Sequence, residues 1–67
     1  MNYEKWLRLK RLSHGYSQEE LAEILGVSRA AISRWERAIA RPSVDILKTL
    51  FQLYNCTHEE IVTYINF

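Results

Sequence analysis

Arg29, Arg34, Arg37 and Arg41 fall within thirteen positions of the stretch GVSRAAISRWERAIARP, residues 26–42, separated there by alanines, serine and a few bulky residues. A guanidinium is planar and permanently charged, and it offers five donors in a fixed fork, a geometry that matches phosphate and other paired acceptors. Alanine and serine beside it are too short to hold a partner away. The chemistry this spacing suits is the binding of a polyanion. A charged helix face is ordinarily only a solvated face, so the reading depends on what presents the arginines and what surrounds them.

Bond-making chemistry finds less support. Cys56, His58 and Glu59 are metal-ligand types, but three clustered ligands with no distant second pair give no tetrahedral closure. His14 stands beside Gly15 near a helix end, where a cation is favourable, and spacing implies no carboxylate or serine partner for it. No glycine-rich phosphate loop is present. We therefore expect no enzymatic activity, no metal and no cofactor.

The elements that must hold the arginines are legible from their starts. Ser17, Ser28, Ser43 and Thr57 are suited to cap helix N-termini by accepting first-turn amides. Around each sits a candidate hydrophobic staple: Tyr16 with Leu21, Val27 with Ile32, Pro42 with Leu47 and Cys56 with Ile61. Ser17 with Glu20 and Thr57 with Glu60 add the capping-box pattern. Gly15 and Gly26 mark the first two turns. These signals predict helices at about 2–13, 17–25, 28–37, 43–54 and 57–65, and no sustained alternation argues for strands.

On the third of these helices the two sides differ. Advancing about 100° per residue from Ser28 places Ile32, Trp35 and Ala31 on one side, while Arg29, Ser33, Arg37, Ala30 and Arg34 occupy the arc from about 100° to 240°. One flank anchors the helix, and the other offers donors. The first helix carries more apolar surface than one core needs, with Tyr3, Trp6, Leu7, Leu9 and Leu12 covering over half its circumference. It is either a broad core face or, through Trp6 and Leu9, a contact with another chain or with the last helix.

Size and charge narrow the function classes. A chain of 67 residues with 48% apolar content supports one packed domain, residues 1–67, near the lower limit for folding without disulfides or metal. A ligand pocket of roughly 300 Å³ or more would remove much of so small a core, which favours a binding surface over a small-molecule site. The net charge of +1 conceals a polarity: up to Pro42 there are eight basic against five acidic residues, and beyond it one against three. A single cysteine fits a reducing compartment. No apolar run approaches the ~20 residues of a membrane span, and MNYEKWLRLKRL is too charged for a secretory signal, so a cytoplasmic protein without membrane attachment is expected.

The order Gln18, Leu21, Ala22, Leu25, Gly26, Val27, Ile32 and Trp35 completes the pattern. Through it the stretch SQEELAEILGVSRAAISRWE resembles the helix-turn-helix family of phage repressors, Cro proteins and xenobiotic-response-element-type bacterial regulators. The resemblance extends from about Leu7 to Ile61 and implies an all-α, five-helix, lambda-repressor-like domain with its helix-turn-helix at the second and third helices. It further implies that residues 28–37 lie in the major groove of double-stranded DNA while the preceding helix crosses the backbone. Carried over residue by residue, it puts Ser17, Gln18 and the first-turn amides at a phosphate and sets Ser28 at the DNA-facing start of the recognition helix. Arg29, Ala30, Ser33 and Arg34 then face base edges, and Arg37 and Arg41 contact phosphates. Arg11 and Glu36 match a pair that forms a salt bridge in the family. Ala38 departs from the pattern, standing where glycine commonly ends the recognition helix, so the path from Arg37 to Arg41 is expected to stay helical longer or to differ.

A single such module buries roughly 600 to 1,000 Å² on DNA, and non-specific binding near 10⁻⁴ to 10⁻⁶ M falls short of the roughly 10⁻⁸ M or better of an operator complex. Two coupled copies would close that gap. The expected form is a homodimer on a near-palindromic site, acting as a transcriptional regulator and most simply as a repressor. Leu53, Val62, Ile65 and Phe67 are the residues expected at the dimer interface, within an end of the chain that also carries Tyr54, Ile61 and Tyr64. The alternative is a protein-interaction module, such as an antitoxin or a regulator's partner, in which the basic face is idle.

Overall fold

The computed structural model describes residues 3–65, with side chains for residues 3–63. Five helices follow one another: α1 (Tyr3–Ser13), α2 (Gln18–Leu25), α3 (Arg29–Glu36), α4 (Val44–Leu53) and α5 (His58–Ile65). The described residues are all-α and contain no strand. Helices α2 to α5 begin one residue after the expected starts because the caps are themselves extended: Ser17, Ser28 and Ser43 have ψ of 165°, 153° and 165°. Their hydroxyls accept the amides of Glu20, Ala31 and Ile46 at 3.0, 3.1 and 3.3 Å. Thr57 does the same for Glu60 at 3.2 Å. Both expected capping boxes close, with the Ser17 and Thr57 amides donating back to Glu20 Oε1 and Glu60 Oε1.

Four helix ends share one device as well. The residue after a left-handed position donates its amide five residues back: Tyr16 to Arg11, Val27 to Ala22, Ile39 to Arg34 and Cys56 to Phe51, at 2.9 to 3.1 Å. The left-handed positions are Gly15, Gly26, Ala38 and Asn55, with φ of 76°, 69°, 62° and 50°. Glycine adopts this conformation without steric cost and asparagine tolerates it, whereas alanine does so under strain. Three junctions therefore repeat the order of left-handed residue, apolar residue, cap: Gly15-Tyr16-Ser17, Gly26-Val27-Ser28 and Asn55-Cys56-Thr57. The apolar residue that closes one helix is also the one that precedes the cap of the next, so two helices are joined with almost no spare chain.

Trp6, Leu7, Leu21, Ala22, Ile32, Trp35, Leu50 and Tyr54 form the core. Ile32 and Leu50 are each 1% exposed. Ala22 is small where α2 passes close to α3, and burial pushes the Tyr54 phenol above its ordinary range. Trp6 belongs to this core and meets Phe51 of α4 edge-on, ring centroids 6.1 Å apart, while Leu9 and Leu12 face solvent. The wide apolar surface of α1 thus divides into a buried face and two exposed leucines. Lys10 of α1 forms an ion pair with Glu60 of α5, tying the last helix to the first.

The alanine at position 38 does not prolong α3. Its left-handed geometry ends the helix as a glycine would, and the chain continues through half-buried Ala40 and buried Pro42 to the cap of α4.

Candidate nucleic-acid interface

Helix α3 is fixed by its inner flank. Ile32 and Trp35, the latter 8% exposed, lie in the core, while Arg29, Ala30, Arg34 and Arg37 are exposed on the other side and Ser33 is half-buried. The separation of an anchored flank from a cationic one, expected from helical periodicity, is what the structure contains.

A polar chain leads from the interior to this outer face. Arg11, 7% exposed in the core, donates from Nε to Glu36 Oε2 at 2.7 Å and from Nη2 to Glu36 Oε1 at 2.9 Å. Its remaining Nη1 donates to the Tyr16 carbonyl at 2.9 Å, which fastens the turn between α1 and α2. Hydrogen bonding to Glu36 raises the Arg11 pKa above its already high ordinary value. The same Glu36 Oε1 accepts Gln18 Nε2 at 3.1 Å, and Gln18 Oε1 in turn accepts Arg29 Nη1 at 3.3 Å. A carboxylate that only accepts forces the amide to present its nitrogen inward and its oxygen outward. The buried pair thereby dictates which atom of Gln18 meets Arg29.

At the start of α2, the amides of Ser17, Glu20 and Leu21 are occupied by the capping box and the first helical bond. The Gln18 and Glu19 amides make no hydrogen bond among the described residues. The Ser17 hydroxyl accepts from Glu20, which leaves its own proton free to donate. Ser28 is engaged in the equivalent cap of α3.

The remaining arginines are arranged differently from one another. Arg37 folds back along its own helix, with Nε donating to Ser33 Oγ at 3.1 Å and to the Ser33 carbonyl at 3.3 Å. Arg34 makes no side-chain hydrogen bond or ion pair among the described residues. Arg41 lies over the ring of Tyr3, Cζ 4.2 Å from the centroid. Neither the Tyr3 stack nor the Gln18 contact to Arg29 was derivable from spacing: the first joins residues 38 positions apart, and the second depends on how α2 and α3 pack.

The residues expected at a dimer interface are distributed unevenly. Leu53 is half-buried against the protein's own core, and Val62 is 42% exposed on α5. Phe67 and the side chain of Ile65 lie outside the described residues. Between α4 and α5, an apolar groove of about 410 Å³ is lined by Val44, Leu47, Lys48, Phe51 and Ile61. Among the described residues, no group of three or more His, Cys, Asp or Glu could hold a metal ion, and no helix is long and apolar enough to cross a membrane.

A family model described as helix-turn-helix matches residues 7–61. Curated proteins give the same picture. The HTH-type transcriptional activator BcrR of Enterococcus faecalis is 35% identical over 63 residues, covering 94% of this chain and 31% of that protein. The HTH-type transcriptional regulator ImmR of Bacillus subtilis is 34% identical over 62 residues, covering 92% and 49% respectively. Antitoxin PezA of Streptococcus pneumoniae is 31% identical over 58 residues, covering 87% and 37%. The chain thus spans from about a third to a half of the length of these relatives. No solved structure gives a significant match.

Proposed function

This chain belongs to the helix-turn-helix family of DNA-binding regulators, and from that premise we propose that it reads a specific duplex sequence by laying α3 in the major groove. The observation that carries the reading is the two-sided character of α3: Ile32 and Trp35 sealed in the core, with Arg29, Ala30 and Arg34 exposed on the opposite flank.

Arg29 and Arg34 pair with guanine O6 and N7, Ala30 touches a thymine methyl, and Ser33 adds a hydroxyl to the base-facing set. Ser17, Gln18 and the unpaired amides of Gln18 and Glu19 meet a phosphate at the positive end of the α2 dipole, with Ser28 beside the DNA at the start of α3. Arg37 and Arg41 contact the backbone and position the domain without specifying sequence. Engagement of Arg37 requires it to leave Ser33, a rearrangement within one exposed side chain.

Two copies act together on a near-palindromic operator with half-sites about 34 Å apart. The exposed Val62 and the apolar groove support the α4–α5 side as the surface they share. Repression is the simplest output, since occupancy alone blocks a promoter. One relative is named an activator, so a reporter with the operator placed over or upstream of the promoter separates the two outputs.

Selection of bound sites from random duplexes tests the reading. A recovered consensus with two inverted half-sites one helical turn apart supports it. Affinity should fall by about 0.9 log units per log unit of salt for each phosphate contacted. Binding that ignores salt and sequence overturns it in favour of the protein-interaction module, for which the groove supplies an apolar surface.

A further inference from the structure

We propose that Tyr3, the first residue of α1, is a positioning residue for Arg41 and so makes the first helix part of the backbone clamp. Tyr3 grips two consecutive residues of the loop after α3. Its ring lies under the Arg41 guanidinium, Cζ 4.2 Å from the centroid, and its hydroxyl donates to the Ala40 carbonyl at 3.4 Å across 37 positions of sequence. Tyr3 is itself packed against the core, as is Ala40, and Pro42 is buried on the far side of Arg41. The loop backbone is therefore pinned on both sides of the exposed Arg41.

The contact leaves the guanidinium's donors to a partner. An aromatic ring 4.2 Å from Cζ attracts the cation through its π face and accepts none of its N–H groups in an ordinary hydrogen bond, so these remain to grip a phosphate in pairs. Arg41 forms no ion pair among the described residues. Stacking also removes much of the rotamer freedom that a long side chain otherwise loses on binding. Tyr3 thus raises affinity without adding a contact of its own to DNA.

The inference rests on the DNA-binding reading above, and its test separates the two. Dissociation constants for a selected and a scrambled duplex, measured by fluorescence anisotropy across a salt series, are compared for the wild type, Tyr3→Leu, Tyr3→Phe, Arg41→Ala and the double variant Tyr3→Leu with Arg41→Ala. Tyr3→Leu should weaken both duplexes alike by about two- to five-fold, the scale of one exposed cation–π contact. Its salt slope should stay unchanged, because Arg41 still reaches its phosphate. Tyr3→Phe, which keeps the ring, should retain nearly all the affinity. Arg41→Ala should reduce the slope by about 0.9, and in that background Tyr3→Leu should add nothing.

A Tyr3→Leu loss that persists without Arg41 overturns the proposal, as does unchanged affinity in Tyr3→Leu when Arg41→Ala binds more weakly. The ring-current shift of the Arg41 side-chain protons in the NMR spectrum of the free protein reads the stack independently of DNA and of how well Tyr3→Leu folds. Its absence in the wild type also overturns the proposal, whereas its presence in a protein that binds no duplex sinks the DNA reading and with it the role assigned to the stack.

Discussion

Arg11 of α1 and Glu36 at the end of α3 meet through two parallel hydrogen bonds of 2.7 and 2.9 Å, with side chains 8% and 7% exposed. Breaking such a pair leaves a charge stranded in the interior, at a cost of about 3–5 kcal/mol. That is a large share of the stability of so small a domain, by the usual scale of about 0.05–0.15 kcal/mol per residue. Arg11→Met and Glu36→Met should each lower urea stability by about that amount, and the double replacement should recover most of the loss. Arg11→Lys should fall between the pair and its broken forms, because the ammonium still neutralises Glu36 but lacks the planar fork that also reaches the Tyr16 carbonyl.

The same pair is linked through Gln18 to Arg29, the arginine proposed to read a base pair. Gln18→Leu should remove the acceptor that holds Arg29 and should relax preference at the base pair that Arg29 reads. In an Arg29→Ala background the Gln18 change should have no further effect on that preference. Binding measured on duplexes altered at single positions checks this, and additive losses would show that Gln18 does not act through Arg29.

The arginines on the two flanks of the site should separate by the kind of loss they produce. Arg29→Ala and Arg34→Ala should each cost about 1–3 kcal/mol of discrimination at one base pair. Arg41→Ala should weaken selected and scrambled duplexes equally. Equal losses on both duplexes for all three variants would mean that base readers and backbone clamps are wrongly assigned.

Ala38 holds φ of 62° at the end of α3. A left-handed residue with a Cβ costs about 1–2 kcal/mol, against which glycine loses part of that gain through the freedom of the unfolded chain. Ala38→Gly should therefore stabilise by about 0.5–1 kcal/mol. For a domain of this size the thermal midpoint should rise by a few degrees, on the scale of about 4–8 °C per kcal/mol. A lower midpoint would show that alanine is not strained there.

Acid should loosen the starts of α2 and α5 first. The Ser17 amide holds the Glu20 carboxyl below the usual carboxylate range, and Lys10, with the Thr57 amide second, does the same for Glu60. A depressed folded value means that the stability these groups contribute is complete above the unfolded value of about 4.3 and is lost as pH falls through their lower folded values. Glu20→Gln and Glu60→Gln should flatten the acid limb of stability against pH. Glu20 is exposed and the Glu60 side chain keeps a third of its surface in water, so the change should be small, and an unchanged acid limb would assign acid sensitivity to other carboxylates.

The helices were legible because their boundaries are local chemistry. Ser17, Ser28, Ser43 and Thr57 cap amides three residues away, and the apolar period of α3 places Ile32 and Trp35 opposite Arg29 and Arg34 whatever surrounds the helix. Even so, two of the four left-handed helix ends were not read, since Ala38 and Asn55 lack the glycine that announces such a position. In α1 the apolar period outran the core: periodicity counts apolar residues but not how many of them a neighbouring helix has room to cover. Leu9 and Leu12 remained outside for that reason.

By itself, then, the amino-acid order determined five helices and the inward and outward flanks of α3, since these follow from contacts within a few residues or from a period along one element, and its resemblance to a known family added the helix-turn-helix. Only the tertiary structure decided that Gln18 turns its oxygen toward Arg29, that Tyr3 stacks beneath Arg41 and that Lys10 ties α1 to α5. Those contacts join residues whose separation in sequence says nothing about their separation in space, and their geometry is fixed by how the helices pack rather than by any one helix.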